Sequence, residues 1–240
     1  MTTVLSAPYD ATMPRRHLRL LALFAALVIA LITSCDSSVE QEVGLPDGTR
    51  LLADSATAMR TVTSTRFTVD VEGNALEIPF RSATGQLTRE GSAQGTVQRD
   101  QGGQVVELAV VVLGDKLYVR GATGPFLELD ASNLGAFYDP RPILDPDRGI
   151  SAVLASGREA TTEARERIGG VDTYRLQVNF PAQPLGTLLP GPDEDKTGQI
   201  WIAVQDSRLV QAQFPAADPE GTITIRFSEY NVPVEITAPA

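Results

Sequence analysis

Residues 104–113, Gln-Val-Val-Glu-Leu-Ala-Val-Val-Val-Leu, constrain the fold of this chain more than any other stretch. Val106, Leu108, Val110 and Val112 recur at period two, which puts them on one face of a strand. Val105, Ala109, Val111 and Leu113 make most of the other face apolar too. A strand that is apolar on both faces needs something hydrophobic against each. Gly114-Asp115 then turns the chain into residues 116–120, where Leu117 and Val119 continue the inner line of a hairpin.

The same period runs through most of the chain. Phe67, Val69 and Val71 alternate with Arg66, Thr68, Asp70 and Glu72, a half-buried strand. Two polar strands are predicted near 82–89 and 93–99. Residues 165–168 and 173–180, the latter with Leu176 and Val178, flank Gly169-Gly170 as a second hairpin. Two more hairpins are predicted in 199–214, which holds Trp201, and in 221–236. Helical signals are fewer. Asp47 can cap a helix running to about Val62, with Leu52, Ala56, Met59 and Val62 at three-to-four spacing. A short helical piece at 150–156 ends at Gly157. Residues 126–149 and 181–192 are rich in Pro and read as loops. The sum is an α+β protein: about ten antiparallel strands in one large curved sheet, with helices packed on one side.

The N-terminus carries a different kind of signal. Arg15, Arg16 and Arg19 precede an apolar run, 20–32, which closes in Ile32-Thr33-Ser34-Cys35. A basic segment, a short apolar core and small residues form an export signal. The run falls short of the roughly 20 residues that span a bilayer. Its last four residues resemble a bacterial lipobox, which implies cleavage before Cys35 and diacylation of its thiol. An ordinary signal followed by a chance free Cys is the plainer alternative. Met13, directly before Pro14-Arg15-Arg16, is the expected true start. Residues 36–48 lack periodicity, carry three acids before Pro46 and read as a flexible tether, on the order of 40 Å when extended. The expected organisation is therefore a signal peptide at 1–34, an acylated Cys35 with its tether at 35–48, and one folded domain at 49–240.

Composition narrows the chemistry of that domain. Cleavage removes three arginines and one aspartate, turning 20 basic and 30 acidic residues into 17 and 29, a formal charge of −12. Such a surface disfavours nucleic acid and leaves membrane attachment to the lipid on Cys35. The single histidine, His17, and the single cysteine are spent before the domain begins. That excludes Ser-His-Asp and Cys-His catalysis and His- or thiolate-ligated metals. Ser55 and Ser64 lack a histidine to activate them. Asp139, Asp145 and Asp147 invite a calcium reading, but prolines interrupt the run and the later ligands are missing, so a Pro-stiffened loop is the expectation. Asp193-Glu194-Asp195 reads as a solvated loop tip. No catalytic residue, cofactor or metal is expected. The aliphatic strands suit the wall of an apolar cavity, yet periodicity alone fits a dry core equally well.

Several segments resemble the actinobacterial lipoproteins LppX, LprA, LprF and LprG. They are 56–68 (ATAMRTVTSTRFT), 114–119 (GDKLYV), 138–154 (YDPRPILDPDRGISAVL) and 200–213 (IWIAVQDSRLVQAQ), in that order. The resemblance covers residues 47–240. It implies a half-barrel of antiparallel strands with helices across the concave face and an apolar cavity between them. It also implies that the protein carries acylated lipids or glycolipids through the cell envelope from the extracytoplasmic face of the membrane. An exporter of the major facilitator type is an implied partner. In the family a Val at the cavity mouth matters for lipid entry, and the matching position is Val97. Lys116 and Lys196 are the only lysines, so lysine-held anionic head groups are not expected. The candidate cavity and mouth residues are Val97, Val106, Leu108, Val110, Val112, Leu117, Val119, Leu176, Val178 and Trp201. A cargo-free scaffold or exporter accessory is the alternative from another class.

Overall fold

Asp47 starts the first helix. Its Oδ1 accepts a hydrogen bond from the Arg50 amide at 2.8 Å, satisfying one of the four N–H groups a helix start leaves free. Helix α1 spans Gly48–Met59 and buries Leu52, Ser55, Ala56 and Met59, the stripe its spacing predicts. Arg89 closes its far end from outside. The Arg89 Nε donates to the Val62 carbonyl at 2.9 Å and Nη2 to the Arg60 carbonyl at 2.7 Å, placing a cation where the helix dipole is negative. In this computed structural model the described residues are 44–73, 80–136, 139–186, 188–189, 194–216 and 221–239. Cys35, the export signal, residues 36–43 of the tether, Tyr138 and Asp193 lie outside them.

Eleven strands follow: β1 (Ser64–Glu72), β2 (Ser82–Thr88), β3 (Ala93–Gln101), β4 (Gln104–Leu113), β5 (Lys116–Arg120), β6 (Leu127–Asp130), β7 (Arg158–Ile168), β8 (Val171–Phe180), β9 (Lys196–Ala203), β10 (Leu209–Pro215) and β11 (Thr222–Ser228). They form one antiparallel sheet in the order β6-β5-β4-β3-β2-β1-β11-β10-β9-β8-β7. The edges β6 and β7 do not pair, so the curved sheet is open and not a closed barrel. The chain lays down one wing from β1 outward to β6, then must reach β7 at the opposite edge. That connection, 131–157, crosses the inner face as a 3-10 turn (Ala131–Ala136), a loop and helix α2 (Ile150–Ser156). A third short helix, α3 (Ala182–Leu185), joins β8 to β9. Topology thus makes the crossing segment a cap over the sheet.

The two wings differ in what fills them. Under β7–β10, Leu176, Val178, Phe180, Ile200, Ile202 and Phe214 pack with Leu52 and Leu154 of α1 and α2 into a dense core. The Phe180 and Phe214 rings meet edge to face, 5.7 Å between centroids. Gly157 is needed here: a Cβ would lie 2.7 Å from Val178 Cγ1 and 2.8 Å from Leu52 Cδ2.

Three differences from the sequence reading have local causes. Strand β6 lies inside the stretch read as loop, because four residues among Pro and Asp carry too little pattern to show. Strand β7 starts at Arg158, well before 165. Residues 221–236 supply one strand and not a hairpin. Past Ser228, Glu229 and Asn231 take left-handed φ angles of 51° and 59°, which breaks the ladder. The Asn231 Oδ1 then accepts from the Thr63 amide at 2.8 Å, tying the C-terminal tail to the start of β1.

Candidate binding cavity

The wing β1–β4 is built to be hollow. Strand alternation turns Ala83, Gly85 and Leu87 of β2 and Ala93, Gly95 and Val97 of β3 to the inner face. The register sets Ala83 opposite Val97, Gly85 opposite Gly95 and Leu87 opposite Ala93. Most of these side chains are small, and the central pair has none. A Cβ on Gly95 would sit 2.1 Å from the Thr84 carbonyl oxygen, and one on Gly85 2.3 Å from that of Gln94. The two strands approach so closely that only glycine fits either position.

Across from this floor stand Leu134, Pro140, Ile143 and Ile150 of the cap, with Leu188 and Leu189 beyond α3. About 1150 Å³ of atom-free space lies between floor and cap, open mouth included. The centre of a water-sized sphere can occupy about 130 Å³ of it. By that kind of measure an apolar protein cavity of about 150 Å³ stays dry and takes up benzene. The lining is almost wholly apolar, so water entering it finds few partners. Arg99 is the charged member of the lining.

Two ion pairs brace the cap loop. Arg141 binds Asp139 at 2.6 Å, and Arg148 binds Asp145 at 2.7 Å. The Asp145 Oδ1 also accepts from the Asp147 and Arg148 amides. Hydrogen bonding to Arg141 holds the Asp139 carboxyl below the usual carboxylate range, and Arg148 does the same for Asp145. Asp147 reaches Arg60, at the end of α1, at 3.2 Å. Each acid considered for calcium is thus closed onto an arginine. Gly149 lets the loop fold back tightly, since a Cβ there would lie 2.3 Å from the Ile143 carbonyl oxygen.

The residues singled out in the sequence fall into five places. Val97, Val110 and Val112 line the cavity. Val106 and Leu108 share their face of β4 but lie outside the lining, partly exposed towards the strand's open end. Leu117 is fully buried and Val119 partly so, both in the core beside the cavity. Leu176 and Val178 belong to the dense wing, with no exposed surface. Trp201 departs from expectation. Its neighbours Ile200 and Ile202 fill the inner core, so alternation sends the indole to the outer face, where its N–H donates to Glu166 Oε1 at 2.7 Å. The sequence reading passed over Phe67, Val69, Ala83, Ala93, Ile143 and Ile225, all in the lining. The alternation of Ala and Gly with Ser, Thr and Gln in 82–97 is the signal that could have found the floor.

The chain's relatives match this architecture. The model of the LppX_LprAFG lipoprotein family matches residues 47–236. The lipoarabinomannan carrier protein LprG of Mycolicibacterium smegmatis is 33% identical over 238 residues, covering 95% of this chain and 99% of the relative. Two solved structures share the fold. The crystal structure of LprF from Mycobacterium bovis is 24% identical, with a TM-score of 0.72 over 82% of this chain and 100% of that one. That of LppX from Mycobacterium tuberculosis is 23% identical, with a TM-score of 0.59 over 78% and 98%. A family model spanning the whole folded part, and a relative alike from end to end, lead to one assignment: this chain belongs to the LppX_LprAFG lipoprotein family.

Proposed function

We propose that this protein is a membrane-anchored carrier that shelters the acyl chains of a lipid or glycolipid and moves it through the cell envelope. The observation that carries the reading is the apolar cavity between the small-residue floor of β2 and β3 and the cap. Moving an acyl chain from membrane to water costs about 0.8 kcal/mol per methylene, so a multi-chain lipid needs an apolar container to cross an aqueous gap. The space reaches that of a large ligand site only with its mouth included, so acyl chains enter by parting cap from floor. A relative carrying the name lipoarabinomannan carrier protein supports a glycolipid as cargo.

In this reading residues 1–34 are removed, Cys35 is acylated and the tether holds the domain at the extracytoplasmic face of the membrane. An exporter of the major facilitator type hands over or receives the lipid. The domain does no covalent chemistry, and it touches neither nucleic acid nor metal. Val97 is in this reading the mouth residue, and Val110 and Val112 line the path of the chains.

Lipid extraction tests this directly. Protein purified from an actinobacterial host and extracted with organic solvent is expected to release a stoichiometric acylated lipid, identified by mass spectrometry. Val97→Trp, which places an indole in the space, is expected to lower that loading several-fold with little change in melting temperature. Purified protein without lipid would overturn the carrier reading. A Val97→Trp protein that no longer loads lipid but still sustains envelope function in cells would favour a cargo-free scaffold.

A further inference from the structure

Arg99 is out of place in the cavity wall. It lies on the inner face of β3, two residues beyond Val97 and opposite Val106, where the lining runs out towards the partly exposed end of β4. Its Nε is buried and has no hydrogen-bond partner, and among the described residues the side chain makes no ion pair. A guanidinium carries five N–H donors and never gives up its charge, so burying part of it unpaired is unfavourable. Neighbouring acids do not relieve it. Asp100, the next residue, is held by Arg81 at 2.6 Å. Asp70 is held by Arg226 at 2.7 Å, and Glu107 accepts from the Gln98 side-chain amide. These three acids are engaged elsewhere, and among the described residues the Arg99 side chain is left without an ion pair.

We infer that the Arg99 guanidinium receives an oxyanion borne by the cargo lipid, so that this carrier selects anionic lipids and seats their head group at the Arg99 end of the cavity. This rests on the carrier reading above and sharpens it. The fork of N–H groups matches the two oxygens of a phosphodiester or a carboxylate. Arg99 is partly exposed, which suits a head group at a mouth better than one drawn inside. The apolar lining takes the chains, and the buried Nε gains the partner it lacks. The proposal also explains how a domain with two lysines can hold an anion.

The test offers the full chain, and its Arg99→Gln and Arg99→Lys variants, to phosphatidylcholine vesicles doped with one probe at a time. The probes are phosphatidylglycerol, oleic acid and diacylglycerol, which share acyl chains and differ in the anion. Protein is recovered and its lipid quantified by mass spectrometry, with melting temperature as the check on folding. The wild type is expected to load at least one anionic probe about five-fold or more over diacylglycerol. The phosphatidylglycerol and oleate arms separate phosphodiester from carboxylate. Arg99→Gln is expected to bring that ratio close to one, and Arg99→Lys to keep part of it. A folded Arg99→Gln protein with the wild-type ratio would overturn the inference, as would a wild type without preference. Failure of every protein to load any probe, diacylglycerol included, would instead strike the carrier reading itself.

Discussion

At Gly95 one added methyl group would lie 2.1 Å from a backbone oxygen, and backbone cannot swing aside as a side chain can. Gly95→Ala is therefore expected to cost about 1–3 kcal/mol, the range for forcing extra volume into a packed site. Leu176→Ala, in the dense wing, is expected to cost about 2–5 kcal/mol, because it opens a cavity where there was none. Val110→Ala enlarges a space that already exists and is expected to cost clearly less than Leu176→Ala. Chemical denaturation of the three variants checks the order. The same contrast explains what the sequence disclosed at this scale. A search for bulky apolar residues finds Leu117, Leu176 and Val178, and those make the solid core. A cavity is made by what is missing, and Ala83, Gly85, Ala93 and Gly95 look like features of a plain polar strand until the register pairs them. Trp201 misled for a related reason: both faces of β9 are buried, so apolar character alone does not tell inside from outside.

Among the elements, the cap loop is the one whose integrity depends on charge. The Asp139 and Asp145 carboxyls are held below the ordinary value of about 4 by Arg141 and Arg148. Carboxyls depressed in this way contribute stability that is present above that value and is lost as pH falls through their folded values. Near pH 7 their contribution is complete, and the change is confined to below about pH 4. Both pairs are open to solvent, so the effect is local. The Gly149 amide donates to the Asp145 carbonyl at 2.8 Å, and that of Ile150 to the Ile143 carbonyl at 3.0 Å. Hydrogen-exchange protection at these two amides is expected to drop below pH 4 while that of β8 and β9 persists. Protection that falls equally in all of them would mean global acid unfolding. The helices α1 and α2 were legible from their caps and spacing. The acids of this loop were legible as loop formers, but their arginine partners were not, because Arg141 and Arg148 show no pattern until the turns bring them round.

The folded unit, Leu45–Ala240, is a sheet with one packed wing and one open one, closed by a segment that must cross it to join opposite edges. A protein that binds its ligand only when folded gains stability by mass action, about 2.7 kcal/mol at a hundredfold excess over Kd. Delipidated protein is therefore expected to melt several degrees below loaded protein, and reloading is expected to restore the difference. Equal melting temperatures would place the lipid elsewhere than in the cavity. Strand content was open to reading from period alone, but the cover expected on both faces of β4 is absent: only Val112 is buried, and Val105 on the outer face is exposed, because the cap covers the inner face alone. Strand order was not, because pairing β1 with β11 and sending β7 to the far edge depends on contacts between residues more than a hundred positions apart.

The glycine pair also sets how thin this wall is. At Gly85 and Gly95 the inner face carries no side chain. On the outer face the same strands border a second, shallow hollow, edged by Gln86, Gln94, Thr84 and Thr96. The partition between the two spaces is there a single layer of backbone. A guest seated against Gly85 and Gly95 would be separated from that outer hollow by main chain alone.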